Sequence, residues 1–410
     1  MPKATARFRN VALLATALVG LSSCGDDHDC INCNFVPPMP FEVSYGLVAA
    51  AFNGIGFPSI VQTSTVKSGG PPFAGNLRAY LSTGIGAFAA PVLISDGNNP
   101  LYLLAADINH DGVPDIVSAS FEDGALAVFL NSATSKGSFS APIILSSPGA
   151  SQVAVGDMNG DGLPDLVSAD YNVSLFLQTA PGTFAAPIPL YSGGANWVAV
   201  GDLNHDGSPD VALTDNVGVK LLLHTGAATA TTFAAPVTAY TETAGLAGAN
   251  LIAIADVNGD GFNDLIITDP GPPDGSAPMV EVLLQDATHP GQFLAPVAYA
   301  TAPGSLAQSI LIADVNGDTL PDIIIGGTNV VSVLLQNSAT AGTFLAASNY
   351  PVQDANEVAL ADVNGDGLID IVVATSATHP IVNGVTTNSP GVLLQLASAP
   401  GTFAALQNLP

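Results

Sequence analysis

Apolar residues in this chain come in short runs of four to six, each bounded by Gly, Pro, Asn or Asp. Residues 153–156, 165–168 and 173–177 form one such succession, and 251–255, 322–325 and 330–335 repeat the pattern further along. The runs are rich in Val, Ile, Leu and Phe, and their length and punctuation predict β-strands. No window sustains the 3.6-residue apolar period of an amphipathic helix.

A polar nonapeptide recurs between the first and second run of each group. It reads DINHDGVPD (107–115), DMNGDGLPD (157–165), DLNHDGSPD (202–210), DVNGDGFND (256–264), DVNGDTLPD (314–322) and DVNGDGLID (362–370). A seventh copy, AFNGIGFPS (51–59), keeps Asn53, Gly54, Gly56 and Pro58 but has lost its acids to Ala51, Ile55 and Ser59. A second marker, a Phe followed by small residues and usually Pro, gives the same count: Phe88, Phe139, Phe184, Phe233, Phe293, Phe344 and Phe403. Seven starts alternate with seven ends, each unit reading as four short strands.

Internal repeats of this length, built of antiparallel strands, predict an all-β fold: a seven-bladed β-propeller of four-stranded antiparallel blades over residues 41–410. The kelch and WD signatures are absent. The segment GDMNGDGLPDLVSAD (156–170) resembles the FG-GAP (VCBS-type) repeat, a family that includes the propeller of integrin α-chains and many bacterial envelope proteins. That resemblance implies the propeller and calcium in its loops. It carries little information about a partner.

The loop chemistry is readable on its own. Hard cations such as calcium take six to eight oxygen ligands in flexible geometry. Positions 1, 3, 5 and 9 supply Asp107, Asn109, Asp111 and Asp115 in the first loop, then Asp157, Asn159, Asp161 and Asp165 in the second. The third offers Asp202, Asn204, Asp206 and Asp210, and the fourth Asp256, Asn258, Asp260 and Asp264. The last two offer Asp314, Asn316, Asp318 and Asp322, and Asp362, Asn364, Asp366 and Asp370. A backbone carbonyl is expected near position 7, and Gly at position 6 permits the tight reversal. An EF-hand would need flanking helices and a Glu at position 12, whereas strands flank these loops. Asp, Asn and Gly also make ordinary turns, but turns alone do not require three acids in fixed register. About six structural calcium ions are expected. The loop at Asp314 is the weakest, because Thr319 replaces Gly, and the loop at Ala51 should bind none. His110 and His205, at position 4 of two loops, are expected to face solvent.

The first 40 residues read as an address and a tether. Lys3, Arg7 and Arg9 precede an apolar stretch at 11–21, too short for the roughly 20 residues that span a bilayer and suited to a secretory leader. It ends in Leu21-Ser22-Ser23-Cys24, which resembles the lipobox of bacterial lipoproteins. That resemblance implies a signal peptide over 1–23 and an acylated Cys24; an ordinary leader with a chance cysteine is the alternative. Residues 24–40, with Asp26, Asp27, Asp29, Pro37, Pro38 and Pro40, form an acidic, Pro-rich tether. Cys30 and Cys33 fit a local disulfide in an oxidising compartment better than a redox motif, which would need a βα context. The expected location is the cell envelope, at the outer membrane or the cell surface, with the lipid as the only membrane attachment and the protein a monomer.

Charge narrows the partners. The chain has 7 Lys and Arg against 34 Asp and Glu, a net charge of −27. Nucleic acid requires a basic footprint, and three of the seven basic residues lie in the leader. Cations, neutral ligands and proteins remain.

The FG-GAP resemblance implies that partners dock opposite the metal loops, where the innermost strands begin. Counting back from each loop gives a candidate ligand rim of Tyr102, Gln152, Asn196, Trp197, Asn250, Gln308, Asn356 and Glu357. Amides and an aromatic suit a carbohydrate; capping of strand ends is the alternative. Longer Pro- and Gly-rich insertions at 269–278 and 378–390 lie on the same face. No nucleophile elbow, HExxH or phosphate loop is present, and His224, His289 and His379 stand apart from one another. The reading is a non-catalytic, calcium-stabilised binding or adhesion module for a glycan or a protein. The alternatives are a lyase or hydrolase acting on polysaccharide, for which Glu357 is the only rim acid, and a purely structural envelope scaffold.

Overall fold

The computed structural model describes residues 41–43, 46–67, 75–95, 100–215, 217–225, 232–241, 251–269, 279–303, 305–352, 355–374 and 390–408. All of them lie in one compact unit, 39–410. The leader, Cys24, the tether with Cys30 and Cys33, Asn250, His379 and the 270–278 and 375–389 insertions fall outside the described residues.

Seven antiparallel sheets follow one another in sequence order. Blade 1 runs from Leu47–Ala50 through Ser59–Lys67 and Gly75–Tyr80 to Val92–Ser95, with a short strand Phe41–Val43 extending the first ladder along Ser59–Lys67. Blade 2 comprises Tyr102–Ala106, Asp115–Ser120, Ala125–Phe129 and Ile143–Ser146. Blade 3 comprises Gln152–Gly156, Asp165–Ala169, Val173–Phe176 and Ile188–Tyr191, and blade 4 Trp197–Gly201, Asp210–Thr214, Gly218–Leu222 and Val237–Thr241. Blade 5 comprises Ile252–Ala255, Asp264–Asp269, Met279–Leu283 and Val297–Ala300. Blade 6 comprises Ala307–Ala313, Asp322–Gly327, Val330–Leu334 and Ser348–Pro351, and blade 7 Glu357–Ala361, Asp370–Ala374, Gly391–Leu393 and Gln407–Asn408. The chain is thus all-β and a seven-bladed propeller of four-stranded blades, and no helix occurs among the described residues.

The first strand of each blade touches the first strands of both neighbours, including blade 1 against blade 7, so these strands line a central channel. Second strands from blade 2 onward are buried at every described position, whereas outermost strands alternate with solvent, as Ile143–Ser146 does. The difference explains the apolar runs after each loop. A strand with a sheet packed on both faces reads as continuously hydrophobic.

Seven apolar cores sit at the seven junctions between blades. Each sheet therefore buries both faces against its neighbours, and no blade has a core of its own. The ring closes without exchanging a strand between its ends. Leu47, Ile60 and Tyr80 of blade 1 pack on Val363, Val372 and Val392 of blade 7, and the Gly86 N–H donates to the Val363 carbonyl at 2.8 Å.

Candidate metal loops and the channel mouth

Each nonapeptide connects the first strand of a blade to the second. Its position 2 is an apolar anchor: Phe52, Ile108, Met158, Leu203, Val257, Val315 and Val363 are all buried at the junctions. Backbone φ is positive at positions 4 and 6 in all seven copies, for example 72° at Gly160 and 85° at Gly162. The sequence pattern marked position 6 alone. Position 4 makes the same demand, met by His110 at 58° and His205 at 60°, since His tolerates the left-handed region better than most residues. Both histidines are exposed, and the His205 ring lies 4.5 Å from that of Phe262 in the next loop. Thr319, at position 6 with φ 72°, is a β-branched residue in a conformation that glycine supplies elsewhere.

Positions 1, 3 and 5 gather at the exposed tip. In the first acidic loop the Asp111 N–H donates to both Asp107 Oδ1 and Asn109 Oδ1 at 3.0 Å, and the Gly112 N–H donates to Asp107 Oδ2 at 2.9 Å. The Asn109 amide donates to Asp111 Oδ2 at 3.1 Å. Asp157, Asp202, Asp256, Asp314 and Asp362 accept the same pair of backbone bonds. Two carboxylates and one amide oxygen therefore share one small neighbourhood.

Position 9 goes elsewhere. Asp115, Asp165, Asp210, Asp264, Asp322 and Asp370 are fully buried. One carboxylate oxygen accepts the N–H of position 2 in its own loop, and the other accepts the N–H of the residue that opens the hairpin after the third strand. For Asp264 these donors are Val257 at 2.9 Å and Gln285 at 2.8 Å. Burial lifts Asp115, Asp165, Asp210, Asp264 and Asp322 up to about 6 against the pull of these donors, and lifts Asp370 in the same direction. In blade 1 the hydroxyl of Ser59 does the same work, accepting the Ser82 N–H at 3.0 Å.

This division tests the fit to calcium. Among the described residues no three His, Cys, Asp or Glu side chains gather closely enough to cage an ion, because the third acid of each loop is turned inward. The tip still presents hard oxygens from positions 1, 3 and 5, which suit a cation that completes its shell with carbonyls and water. The donor set at the tip fits a hard divalent ion, with position 9, buried beneath the tip, as a backbone staple.

The residues opening the hairpins escaped notice in the sequence. Asn131, Gln178, His224, Gln285, Gln336 and Gln395 are buried and pair with the Phe markers. Three of their amides stitch neighbouring blades: Asn131 Nδ2 donates to the Phe52 carbonyl at 2.8 Å, Gln336 Nε2 to Val257 at 2.8 Å and Gln395 Nε2 to Val315 at 2.5 Å; those of Gln178 and Gln285 donate to Pro164 and Asn263 of their own blades. A signal was present, since each follows Leu at the end of a third strand and three units read Leu-Leu-Gln. His289, isolated in the sequence, sits on such a hairpin with Nδ1 2.9 Å from both Asp286 Oδ2 and Thr288 Oγ1, an exposed turn.

At the other end of the first strands the rim residues separate into two sets. Asn196 is exposed, and Gln308 and Asn356 are half-buried. Tyr102, Gln152, Trp197 and Glu357 converge on the channel instead. Tyr102 and Trp197, from blades 2 and 4, meet edge to face with centroids 5.3 Å apart at 82°. Gln152, from the blade between them, bonds Tyr102, accepts the Val198 N–H at 3.1 Å and donates to the Val153 carbonyl at 3.0 Å. Glu357, from blade 7, is 8% exposed, and burial pushes its carboxyl well above the usual range. Burial, and then the Glu357 charge, push the Tyr102 phenol up as well.

Comparison with known proteins agrees with this architecture. A family model described as an FG-GAP-like repeat matches residues 110–168, 202–267, 256–325 and 314–373, together more than half of the chain. No curated protein matches. Among solved structures, a lectin of Agrocybe aegerita, described as specifically recognising non-reducing terminal N-acetylglucosamine, is 20% identical with a TM-score of 0.52, over 76% of this chain and 80% of that one. A candidate 6-phosphogluconolactonase of Bacteroides uniformis is 10% identical with a TM-score of 0.52, over 76% of this chain and 86% of that one. At these identities the likeness is one of fold.

Proposed function

For this chain, which belongs to the FG-GAP-like repeat family, we propose the role of a non-catalytic recognition module, stapled by calcium and held at the cell envelope by lipid on Cys24. The observation that carries the reading is the contrast between the two ends of the first strands. One end carries six nearly identical acidic loops, and the other carries residues that do not repeat from blade to blade. Repetition on one face suits a structural task, and variation on the opposite face suits recognition.

In this reading calcium supplies a positive centre that neutralises the crowded loop tips and ties each first strand to its second. Positions 1, 3 and 5 of each loop would hold it: Asp107, Asn109 and Asp111 and their five counterparts. The position 9 acids orient the loop from within. A net charge of −27 favours uptake of cations and disfavours nucleic acid and anionic lipid surfaces. Asn196, Gln308 and Asn356 are the rim groups left accessible for a glycan or a protein.

The test is binding of the full chain to glycan and matrix-protein arrays, in millimolar calcium and after chelation. Retention of one ligand class that weakens when Asn196 and Asn356 are replaced by Ala supports recognition at the rim. Binding indifferent to both replacements moves the ligand away from the rim, and turnover of a polysaccharide replaces the module with an enzyme.

A further inference from the structure

The blade 1 loop keeps the backbone of its six sister loops without their carboxylates. Gly54 and Gly56 hold φ at 68° and 86°, matching 72° and 85° at Gly160 and Gly162. In the sister loops this conformation turns three consecutive N–H groups toward carboxylates of the same loop. The Asp161 and Gly162 N–H groups donate to Asp157 at 3.1 and 2.8 Å, and the Leu163 N–H donates to Asp161 at 2.8 Å. In blade 1 the methyl of Ala51 and the alkyl chain of Ile55 stand where those acceptors would be. The Ile55 N–H keeps only a 3.4 Å bond to Asn53 Oδ1, and the N–H groups of Gly56 and Phe57 have no acceptor among the described residues. Consecutive backbone N–H groups arranged in this way make an anion-binding concavity.

Two independent features lie at the same place. Lys136, from the blade 2 hairpin, crosses Gly54, with Cδ and Nζ 2.5 and 3.1 Å from the point where a Cβ on Gly54 would stand. It is exposed, is one of only four basic residues after Arg9, and has no acidic partner among the described residues. On another side, Ala51, Gly56 and Phe57 line a cavity of about 430 Å³, faced by Asp362, Gly365 and Gly367 of the blade 7 loop. Phe57 and Ile85 meet over Gly365, 3.2 and 3.1 Å from the position of a Cβ there, and Ile85 is 64% exposed. Donors and a cation beside apolar side chains are complementary to an organic anion rather than to a bare ion.

We infer that the blade 1 loop binds the carboxylate of a small organic acid with an apolar body. The N–H groups of Gly56 and Phe57 and the Lys136 ammonium meet the charge, and Phe57 and Ile85 meet the body. The ligand's carboxylate takes the place that the position 1 acid fills in the other six loops. The acidity of the chain, Asp362 included, opposes anions, so the test is run in millimolar calcium. This site lies on the loop face and not at the rim, so its failure would leave the reading above intact.

The full chain is labelled with 15N-phenylalanine, and the Phe57 amide is assigned by its disappearance in Phe57→Leu. It is titrated with sodium benzoate, sodium acetate and sodium chloride at equal ionic strength, and with neutral benzamide. The expected result is a saturable shift of the Phe57 amide with benzoate, weaker with acetate and absent with chloride and benzamide. Lys136→Met keeps a stem over Gly54 and should weaken benzoate about fivefold. Ala51→Asp restores the internal carboxylate and should weaken it about tenfold or more by occupying the same donors; melting curves establish that each variant is folded. A Phe57 amide that benzoate moves no further than chloride or benzamide does overturns the inference. Unaltered benzoate affinity in a folded Ala51→Asp protein overturns it equally.

Discussion

The side-chain amide of Gln336, in blade 6, donates a 2.8 Å hydrogen bond to the carbonyl of Val257, the second residue of the blade 5 loop, and a 3.0 Å bond to Pro321 in its own blade. One buried side chain thus ties the anchored base of a loop to the hairpin of the following blade. The same relationship joins Asn131 to Phe52 and Gln395 to Val315. Gln336→Leu keeps the volume and removes the donor from the buried Val257 carbonyl and the part-buried Pro321 carbonyl, so it should cost about 1–3 kcal/mol. Thermal unfolding of the variant checks this, and a melting temperature equal to that of the parent would contradict the role.

Two acids of one loop should answer differently to the same change. Asp264 is buried and receives the N–H groups of Val257 and Gln285, so Asp264→Asn puts an NH2 group against one of these donors and costs about 3 kcal/mol. That loss should be equal with calcium and with chelator. Asp260 is exposed at the tip, and Asp260→Asn should leave the calcium-free protein nearly unchanged. It should remove only the calcium increment of one site, about 1.4 kcal/mol at tenfold saturation. Calorimetry of both variants in both conditions separates staple from ligand.

Thr319 is the one residue other than Gly at position 6, and it holds φ at 72°. A β-branched residue in this region carries strain of about 1 kcal/mol or more. Thr319→Gly should therefore raise the midpoint of denaturant unfolding by the equivalent of about 1 kcal/mol, less the entropy that glycine adds to the unfolded chain. A decrease would mean that the threonine side chain makes a contact worth more than the strain.

The seven blades were legible because each unit repeats the same polar loop and the same Phe, and a repeat cannot hide its period. The loop conformation was half legible. Glycine at position 6 advertised a left-handed backbone, while position 4 was disguised by His110 and His205. The inward turn of Asp115 and its counterparts was not legible, because their partners, such as Asn131, lie in a hairpin at no fixed distance along the chain. The rim was read as a surface for a related reason. Tyr102 and Trp197 come from blades 2 and 4, and only the folding of the ring brings their rings together.

Glu357 also predicts a pH dependence. Its carboxyl is held well above the ordinary range by burial, so the folded protein binds this proton more tightly than the unfolded chain does. The stabilisation is fully present below the unfolded value of about 4.3 and is lost as pH rises through the folded value. Relative to Glu357→Gln in amine-free buffer with chelator, the parent should lose stability with rising pH by up to about 1.4 kcal/mol per unit. A difference that stays constant from pH 4 to pH 8 would contradict the burial of the acid.

The most direct test of the account is the melting temperature of the full chain in 1 mM calcium and in excess chelator. Six sites of about 0.1 mM affinity would together contribute up to about 8 kcal/mol. For a propeller of this size that corresponds to a rise of about ten degrees with calcium, reversible on chelation. Superimposable melting curves in the two conditions would contradict calcium as the staple of the six loops and leave the position 9 carboxylates and the hairpin amides to hold the blades alone.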